Sequence, residues 1–228
     1  HGFSMKPSHA KMLQDADLIF WVGEDLENFL EKPLNSIAKK AEKIELMDIK
    51  GLNVLSFRER NIFDEHDDHD DHEGHAKKKK DDHDDHDDHE GHGHGEYDPH
   101  IWLDPINAKV ILFEMSKHLI ELDAKNESVY RDNLSKAYKE IDKLTKDVTA
   151  ELNQSVASIV FHDAYQYFEK RFNVNILGAF TVNTDVMPGA EQLAEIREII
   201  EHDKVACVFS EPQFNPDIIK AVAKDMNI

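Results

Sequence analysis

The spacing of apolar residues in the first 60 positions alternates between the periods of a helix and a strand. The segment PSHAKMLQDA starts with a proline and carries apolar side chains on one face, which predicts a helix. The apolar run in DLIFWVG, ended by a glycine, predicts a short buried strand. LENFLEKPLNSIAKK then predicts a helix interrupted at Pro33, and KIELMDI predicts a second strand. This alternation is typical of an α/β layer.

The middle of the chain predicts two helices. From Ile106 to Leu122 apolar residues recur at helical spacing, and residues 127–154 contain neither glycine nor proline. The second stretch, as a helix, would be roughly 40 Å long at about 1.5 Å per residue. A helix of that length could bridge two lobes.

The last third of the chain repeats the alternation more regularly. Strands are predicted in SIVF, VNILGAF and VACVFS, and helices in AYQYFEKRF, GAEQLAEIREIIEHD and NPDIIKAVAKDM. Strands that alternate with helices imply a parallel sheet. The sequence therefore predicts an α/β protein with parallel sheets flanked by helices.

An acidic, histidine-rich tract interrupts this pattern between Asp64 and His94, where the ten residues HDDHDDHEGH occur at 66–75 and again at 83–92. Residues 64–96 hold 15 acidic residues against four lysines, and so account for 11 of the 20 net negative charges. A packed core cannot accept such a segment, because its charges would lose hydration without apolar area in return. We therefore expect a solvated, disordered insert.

The chemistry of the tract points to divalent metal ions. Imidazole offers a nitrogen lone pair near neutral pH, and carboxylates add oxygen donors and a negative potential. Zinc, nickel, copper and cobalt suit these donors. The alternative is an acidic linker whose histidines arose by repeat expansion. The candidate weak metal sites are His66, His69, His72, His75, His83, His86, His89, His92 and His94.

Charge and hydropathy exclude some classes of function. The chain has no basic stripe for a phosphate backbone, which argues against nucleic-acid binding. No apolar run approaches the roughly 20 residues that cross a bilayer. The chain begins at His1 without an initiator Met, so we expect that an upstream segment such as a signal peptide was removed or not recorded. Cys207, the only cysteine, is interpreted either as an inert core thiol or as half of a disulfide.

Histidines outside the tract divide into two groups. His202 at a helix end, His118 as a surface residue and His9 in a first helical turn have ordinary structural explanations. His162 instead follows a predicted strand directly, at the edge where α/β sheets place functional side chains. His100 lies in the turn-rich segment DPHIWLDP. Each of these two is either a functional residue or a satisfied loop or core histidine.

Five segments taken in order resemble the periplasmic zinc-binding proteins of high-affinity zinc ABC importers, within the metal-binding lipoprotein and adhesin group. They are HGFSMKPSHAKMLQDADLIFWVGEDLENF, DPHIWLDP, IVFHDAYQYFEKRF, MPGAEQLAEI and CVFSEPQFNP. The resemblance covers essentially the whole chain apart from the insert, and a His-rich loop at that place is typical of the zinc branch. It implies two α/β lobes joined by one long helix, with metal held between the lobes.

We therefore expect an N-terminal lobe at residues 1–125, which includes the His/Asp-rich loop 62–97. A connecting helix at 126–154 and a C-terminal lobe at 155–228 should follow. The resemblance also implies that the family's opening strands precede His1 and that a carboxylate ligand and the partner of Cys207 follow Ile228. The chain is thus expected to be a fragment.

The resemblance maps three metal ligands onto His1, His100 and His162. The first is the histidine of the motif H-x-[FY]-x-x-x-P-S, matched here by HGFSMKPS. Three neutral imidazoles suit Zn²⁺, whereas related manganese binders are expected to carry a carboxylate in place of His162. Asp163 is interpreted as a carboxylate that orients a ligand, or as one that faces a helix N-terminus. Glu211 is a candidate supporting or substitute oxygen donor.

The resulting prediction is a monomeric periplasmic protein, not an enzyme, that captures Zn²⁺ between two lobes and delivers it to an ABC transporter permease. The tract would gather or buffer further ions. A secreted metal buffer or adhesin is one alternative. A zinc hydrolase is another, because three histidines with an open position also describe a catalytic zinc site. Only Asp163 is then an evident general base.

Overall fold

The computed structural model describes residues 5–58, 60–62, 96–152, 156–182, 188–215 and 217–222. His1 and the nine histidines of the acidic tract lie outside the described residues. The prediction that the tract is disordered concerns the same residues and stays a prediction.

The first sheet contains two parallel strands, β1 (Leu18–Trp21) and β2 (Glu42–Glu45), with Leu18 opposite Glu42. Helix α1 (Pro7–Asp15) precedes β1, and helix α2 (Glu24–Ser36) connects the strands. Their core contains Trp21, Leu34, Ala38 and Ala41. The predicted order of helix and strand is confirmed, although KIELMDI is a strand only as far as Glu45 and continues as a 3₁₀ turn at Leu46–Asp48.

The predicted interruption at Pro33 is wrong in position. Helix α2 runs through Pro33 and ends at Ser36. Proline has no backbone N–H and so removes one helical hydrogen bond, but only the last three residues of the helix lie beyond it. The non-helical backbone lies instead at Glu27 (φ −124°, ψ 40°). There the carboxylate of Glu27 accepts a hydrogen bond from the backbone N–H of Val22 at 2.6 Å, which holds the first turn against the end of β1.

Two long helices occupy the middle of the chain, as predicted. Helix α3 (Pro105–Leu122) starts with a proline, and its N-cap Asp104 accepts a hydrogen bond from the Ile106 N–H at 2.9 Å. Helix α4 (Glu127–Glu151) packs against α3, and the Tyr138 hydroxyl donates to the Lys109 carbonyl. Neither helix, nor any other in the described part of the chain, is long and apolar enough to cross a membrane.

The second sheet contains three parallel strands in the order β4-β3-β5. The elements are β3 (Ser158–His162), α5 (Gln166–Phe172), β4 (Ile176–Thr181), α6 (Ala190–His202), β5 (Cys207–Phe209) and α7 (Asp217–Val222). Ile159, Phe161, Phe180 and Ile196 form the centre of its core. The predicted parallel α/β arrangement is confirmed, and β3 ends at His162 between the ends of its two neighbours.

The segments on either side of the acidic tract pair with each other and then with the second sheet. The Asp98 N–H donates to the Leu55 carbonyl at 2.8 Å, and Ser56 and Tyr97 form an antiparallel bridge. Ile62 bridges Gly178 of β4, where a Cβ would lie 2.6 Å from the Asn61 carbonyl oxygen. Glycine at 178 is therefore required for this close approach. The part of the chain that leads into the tract is thus attached to the edge of the second sheet.

Two of the three histidines assigned ordinary roles lie as predicted. His202 is exposed at the end of α6, and His9 caps the first turn of α1 by accepting from the Lys6 N–H at 3.3 Å. The prediction of a surface position for His118 is wrong. Its side chain is 13% exposed and lies 3.0 Å from Glu42 and 3.3 Å from Glu114, so it joins α3 to β2. Cys207 is a free, half-buried thiol in β5.

Candidate metal site

His100 and His162 meet at the end of the second sheet, with ring centroids 5.2 Å apart and ring planes at 73°. His162 is the last residue of β3, so the sheet itself sets its position. His100 lies in the turn before the 3₁₀ segment Ile101–Leu103 and is 7% exposed. The structure thus brings two of the three predicted ligands together from distant parts of the chain.

Asp98 fixes the orientation of the His100 ring. One carboxylate oxygen of Asp98 accepts from the His100 backbone N–H at 2.9 Å and lies 2.7 Å from His100 Nδ1. Asp98 is itself held by α5, since Gln166 donates to its second oxygen at 3.3 Å and Tyr167 donates to its carbonyl at 2.7 Å. A carboxylate at Nδ1 places the proton there and leaves the lone pair on Nε2. Nε2 of His100 is therefore the ring nitrogen that a metal would meet.

His162 is kept neutral by its surroundings. Burial, followed by the nearby His100, lowers the pKa of His162 to about 4, while Asp98 acts weakly in the opposite direction. At neutral pH its imidazole carries a lone pair without a competing proton. Two imidazoles side by side would form a borderline-soft donor set, which suits zinc and its transition-metal neighbours.

Aromatic rings flank both histidines. Trp102 lies 5.5 Å from the His100 ring and is 42% exposed, so one of its faces meets solvent. Phe214, in the turn after β5, meets the His162 ring edge to face at 5.9 Å. Each histidine ring therefore has an aromatic neighbour.

Asp163, predicted to orient a ligand or to face a helix N-terminus, forms a buried ion pair. Its Oδ1 accepts from the guanidinium of Arg58 at 3.1 Å, and Arg58 also makes two hydrogen bonds, at 3.1 and 2.6 Å, to Glu169 of α5. Burial raises the pKa of Asp163 to about 7, and the charge of Arg58 opposes that rise. Asp163 precedes the first residue of α5, Gln166, and its carboxylate is engaged by Arg58.

Glu211, the candidate oxygen donor, follows β5 at the same edge of the sheet. The Tyr165 hydroxyl donates to its Oε1 at 3.0 Å. Burial, together with the charge of Glu211, raises the pKa of Tyr165 to about 12, so this phenol stays protonated. The other oxygen, Oε2, is buried and has no hydrogen-bond partner among the described residues. A role for Glu211 as an oxygen donor stays a prediction.

Within the described ranges, no three side chains of His, Cys, Asp or Glu converge into a group that could hold a metal. The described part of the site therefore supplies two imidazoles. Its third predicted donor, His1, belongs to the segment outside those ranges.

Four residues that support the site were not identified from the sequence. Asp98 had a local signal, since it stands two residues before His100 in DPH, a spacing at which a carboxylate can reach the ring of the following histidine. Arg58, Gln166 and Tyr167 had none. Arg58 and its partner Asp163 lie 105 positions apart, and only the folded chain brings them together.

We expect Asp98→Ala to lower the zinc affinity of the site by roughly 10- to 100-fold, as is usual when a carboxylate behind a ligating histidine is lost. Asp98→Asn retains an oxygen that can accept from Nδ1, so its loss should be smaller. Competition titration with a chelator of known affinity measures both variants. Equal affinities for Asp98→Ala and the unmodified protein would show that His100 does not depend on this carboxylate.

The geometry defines a class of protein: a two-sheet α/β fold in which a pair of imidazoles lies at the carboxyl end of a central parallel strand. Two imidazole nitrogens are donors that suit a transition-metal ion. The chain belongs to the family of the periplasmic zinc-uptake complex component A, ZnuA, whose model matches residues 1–228. The resemblance found in the sequence is confirmed by this match.

Individual relatives agree with the family. The high-affinity zinc uptake system protein ZnuA of Brucella abortus (strain 2308) is 43% identical over 233 residues, covering 97% of this chain and 70% of that protein. A crystal structure of ZnuA has a TM-score of 0.74 at 22% identity, over 99% of this chain and 74% of that one. A manganese-bound periplasmic metal-binding protein from Candidatus Liberibacter asiaticus has a TM-score of 0.70 at 19% identity, over 100% and 73%. At these identities the two structures show a shared fold alone.

Proposed function

We propose that this chain captures Zn²⁺ in the periplasm with His100, His162 and His1, and delivers the ion to the membrane permease of an ABC transporter. The observation that carries the proposal is the contact between the buried ring of His100 and the half-buried ring of His162, 5.2 Å apart. Membership of the zinc-uptake family supports the cargo and the compartment. The protein would act as a monomer, which sedimentation at micromolar concentration would test.

Zinc is favoured over manganese by the donor set. Imidazole nitrogen is a borderline-soft donor that suits Zn²⁺, and Mn²⁺ prefers carboxylate and carbonyl oxygen. The manganese-bound relative shares the fold but only 19% of its sequence, so the fold by itself does not select the metal. Residue 162 is then the position at which selectivity is decided.

The acidic tract would supply a second, weaker class of sites. Its nine histidines and the 15 acidic residues at 64–96 offer many donors and attract cations before they reach the lobes. Many similar donors in one segment would suit gathering or buffering of ions. The tight site would hold one ion for transport.

The hydrolase alternative is disfavoured by the surroundings of Asp163. A general base must reach a metal-bound water with a free lone pair and little competing charge. The carboxylate of Asp163 instead faces the guanidinium of Arg58 at 3.1 Å. The geometry around Asp163 therefore favours binding and release over turnover.

The test is a zinc titration by calorimetry on three forms of the full chain: unmodified, lacking residues 64–94, and carrying His100→Ala with His162→Ala. We expect the deletion to remove several weak sites and to leave one tight site. The double substitution should remove the tight site and leave the weak ones. If the tight site disappeared with the tract, capture between the lobes would be wrong.

Delivery needs a separate measurement. Zinc uptake into proteoliposomes that contain the permease and its ATPase should require the zinc-loaded protein. The His100→Ala, His162→Ala form, with its tract intact, serves as the matched control. Equal uptake with that control would show that the paired histidines do not supply the transported ion.

A further inference from the structure

Arg58 joins two buried carboxylates that follow His162 in the chain, Asp163 and Glu169. Its guanidinium donates to Asp163 at 3.1 Å and to both oxygens of Glu169, at 3.1 and 2.6 Å. Asp163 and Glu169 are 3% and 6% exposed. Two carboxylates buried this deeply need a compensating cation, and Arg58 supplies one with the fork geometry that suits carboxylates.

The position of Asp163 ties this ion cluster to the metal site. Asp163 is adjacent to His162 in sequence, and its backbone N–H donates to the Thr181 carbonyl at 3.0 Å. The next residue, Ala164, donates to the His162 carbonyl at 2.8 Å, which forms a tight turn. His162 therefore sits at the start of a turn whose second residue is held through its side chain by Arg58.

The segment that carries Arg58 is attached to the second sheet by other contacts. Asn61 Nδ2 donates to the carbonyls of Ala179 and Phe180 at 3.1 and 2.8 Å, and Gln192 donates to the Asn61 side-chain oxygen. On the other side of Arg58, the Ser56 carbonyl accepts from Gln166 at 3.0 Å. The path of the backbone at position 58 thus does not depend on the Arg58 side chain.

We propose that Arg58 is a positioning residue for the metal site, which sets the direction of the His162 ring by holding Asp163 and Glu169 in place. The proposal rests on the proposed function, because it assumes that His162 binds the ion. Without Arg58, the two carboxylates lose their cation and three hydrogen bonds, and the Asp163 side chain is no longer held in its present direction. That movement would twist the turn after β3 and carry the His162 ring away from His100.

A matched control exists on the same helix. Arg171 of α5 forms a similar two-bond pair with Asp104, at 2.7 Å for each bond, and Asp104 is 2% exposed. Neither Arg171 nor Asp104 is adjacent in sequence to a histidine of the site, although Asp104 ends the 3₁₀ segment that His100 begins. Arg171→Met should therefore destabilise the protein in the same way as Arg58→Met without acting on the direction of the His162 ring.

The experiment compares Arg58→Met, Arg58→Lys and Arg171→Met in the chain from which residues 64–94 have been deleted. Zinc competition titration measures affinity, the visible absorption of the Co²⁺-loaded protein reports ligand geometry, and thermal unfolding without metal reports stability. We expect Arg58→Met to lower zinc affinity about 10-fold, at the lower end of the effect of groups behind a ligand, and to change the Co²⁺ spectrum. Arg58→Lys, which keeps the charge, should recover part of the affinity.

Arg171→Met should lower the melting temperature while the Co²⁺ spectrum and zinc affinity stay near those of the parent. An Arg58→Met protein with the parent's affinity and spectrum would overturn the proposal. Equal losses of affinity in Arg58→Met and Arg171→Met, in step with their melting temperatures, would also overturn it. A parent protein with no tight zinc site would instead overturn the proposed function.

Discussion

Replacing His162 by glutamate is expected to shift the preference of the tight site from zinc toward manganese. The substitution replaces a borderline-soft nitrogen donor by a hard oxygen donor. The affinity of Mn²⁺ for the site benefits more from an oxygen donor than the affinity of Zn²⁺ does. The position is rigid, because His162 ends the central strand β3 and its ring lies 5.2 Å from that of His100. The new carboxylate would therefore enter the site from the same direction as the imidazole.

Competition titrations with both metals, on the chain lacking residues 64–94, measure this shift. His162→Ala removes the donor altogether, and its zinc affinity should fall by more than the roughly 10- to 100-fold that loss of a supporting group costs. His202→Glu is the matched control, since His202 is an exposed histidine at the end of α6. Unchanged selectivity in His162→Glu would mean that His162 is not a ligand.

Much of the fold follows from local sequence patterns. The apolar runs of β1 and β3 and the helical spacing of α3 and α6 depend on neighbours within a few residues, so their type is readable from the chain itself. Boundaries depend on specific contacts. The non-helical backbone at Glu27 coincides with a hydrogen bond from the Val22 N–H to its carboxylate, and no periodicity records that bond.

In the candidate site, too, the residues with a local sequence signal could be predicted, and those that depend on distant contacts could not. His162 was identified because the end of a parallel strand is a predictable place for function, and His100 because its turn-rich segment matches a family. Their supports could not be found in this way. Arg58 reaches Glu169 across 111 positions, and Gln166 reaches Asp98 across 68. His118 was misplaced for the same reason, since its partner Glu42 lies on β2 and not on its own helix.

Zinc bound by the tract and zinc bound between the lobes should leave the protein at different pH values. Burial and His100 lower the pKa of His162 from 6.5 to about 4, so protons compete with metal at this residue only well into the acid range. The imidazole of His162 is therefore unprotonated and able to bind metal above the ordinary histidine pKa. It is lost as a ligand, through protonation, as pH falls toward about 4. In the tract, by contrast, abundant carboxylates favour the protonated imidazole, and metal must displace that proton to bind.

Occupancy of the weak sites should therefore fall as pH drops from about 7.5 to about 6, while one tightly bound ion persists further into acid. Equilibrium dialysis across this range, with and without residues 64–94, resolves the two classes. The deletion form should show a flat stoichiometry of one ion where the full chain shows a steep decline. A further deletion form carrying His162→Ala should lose even that single ion. Release of all zinc from the full chain at a single pH would contradict a buffering tract that is distinct from a transport site.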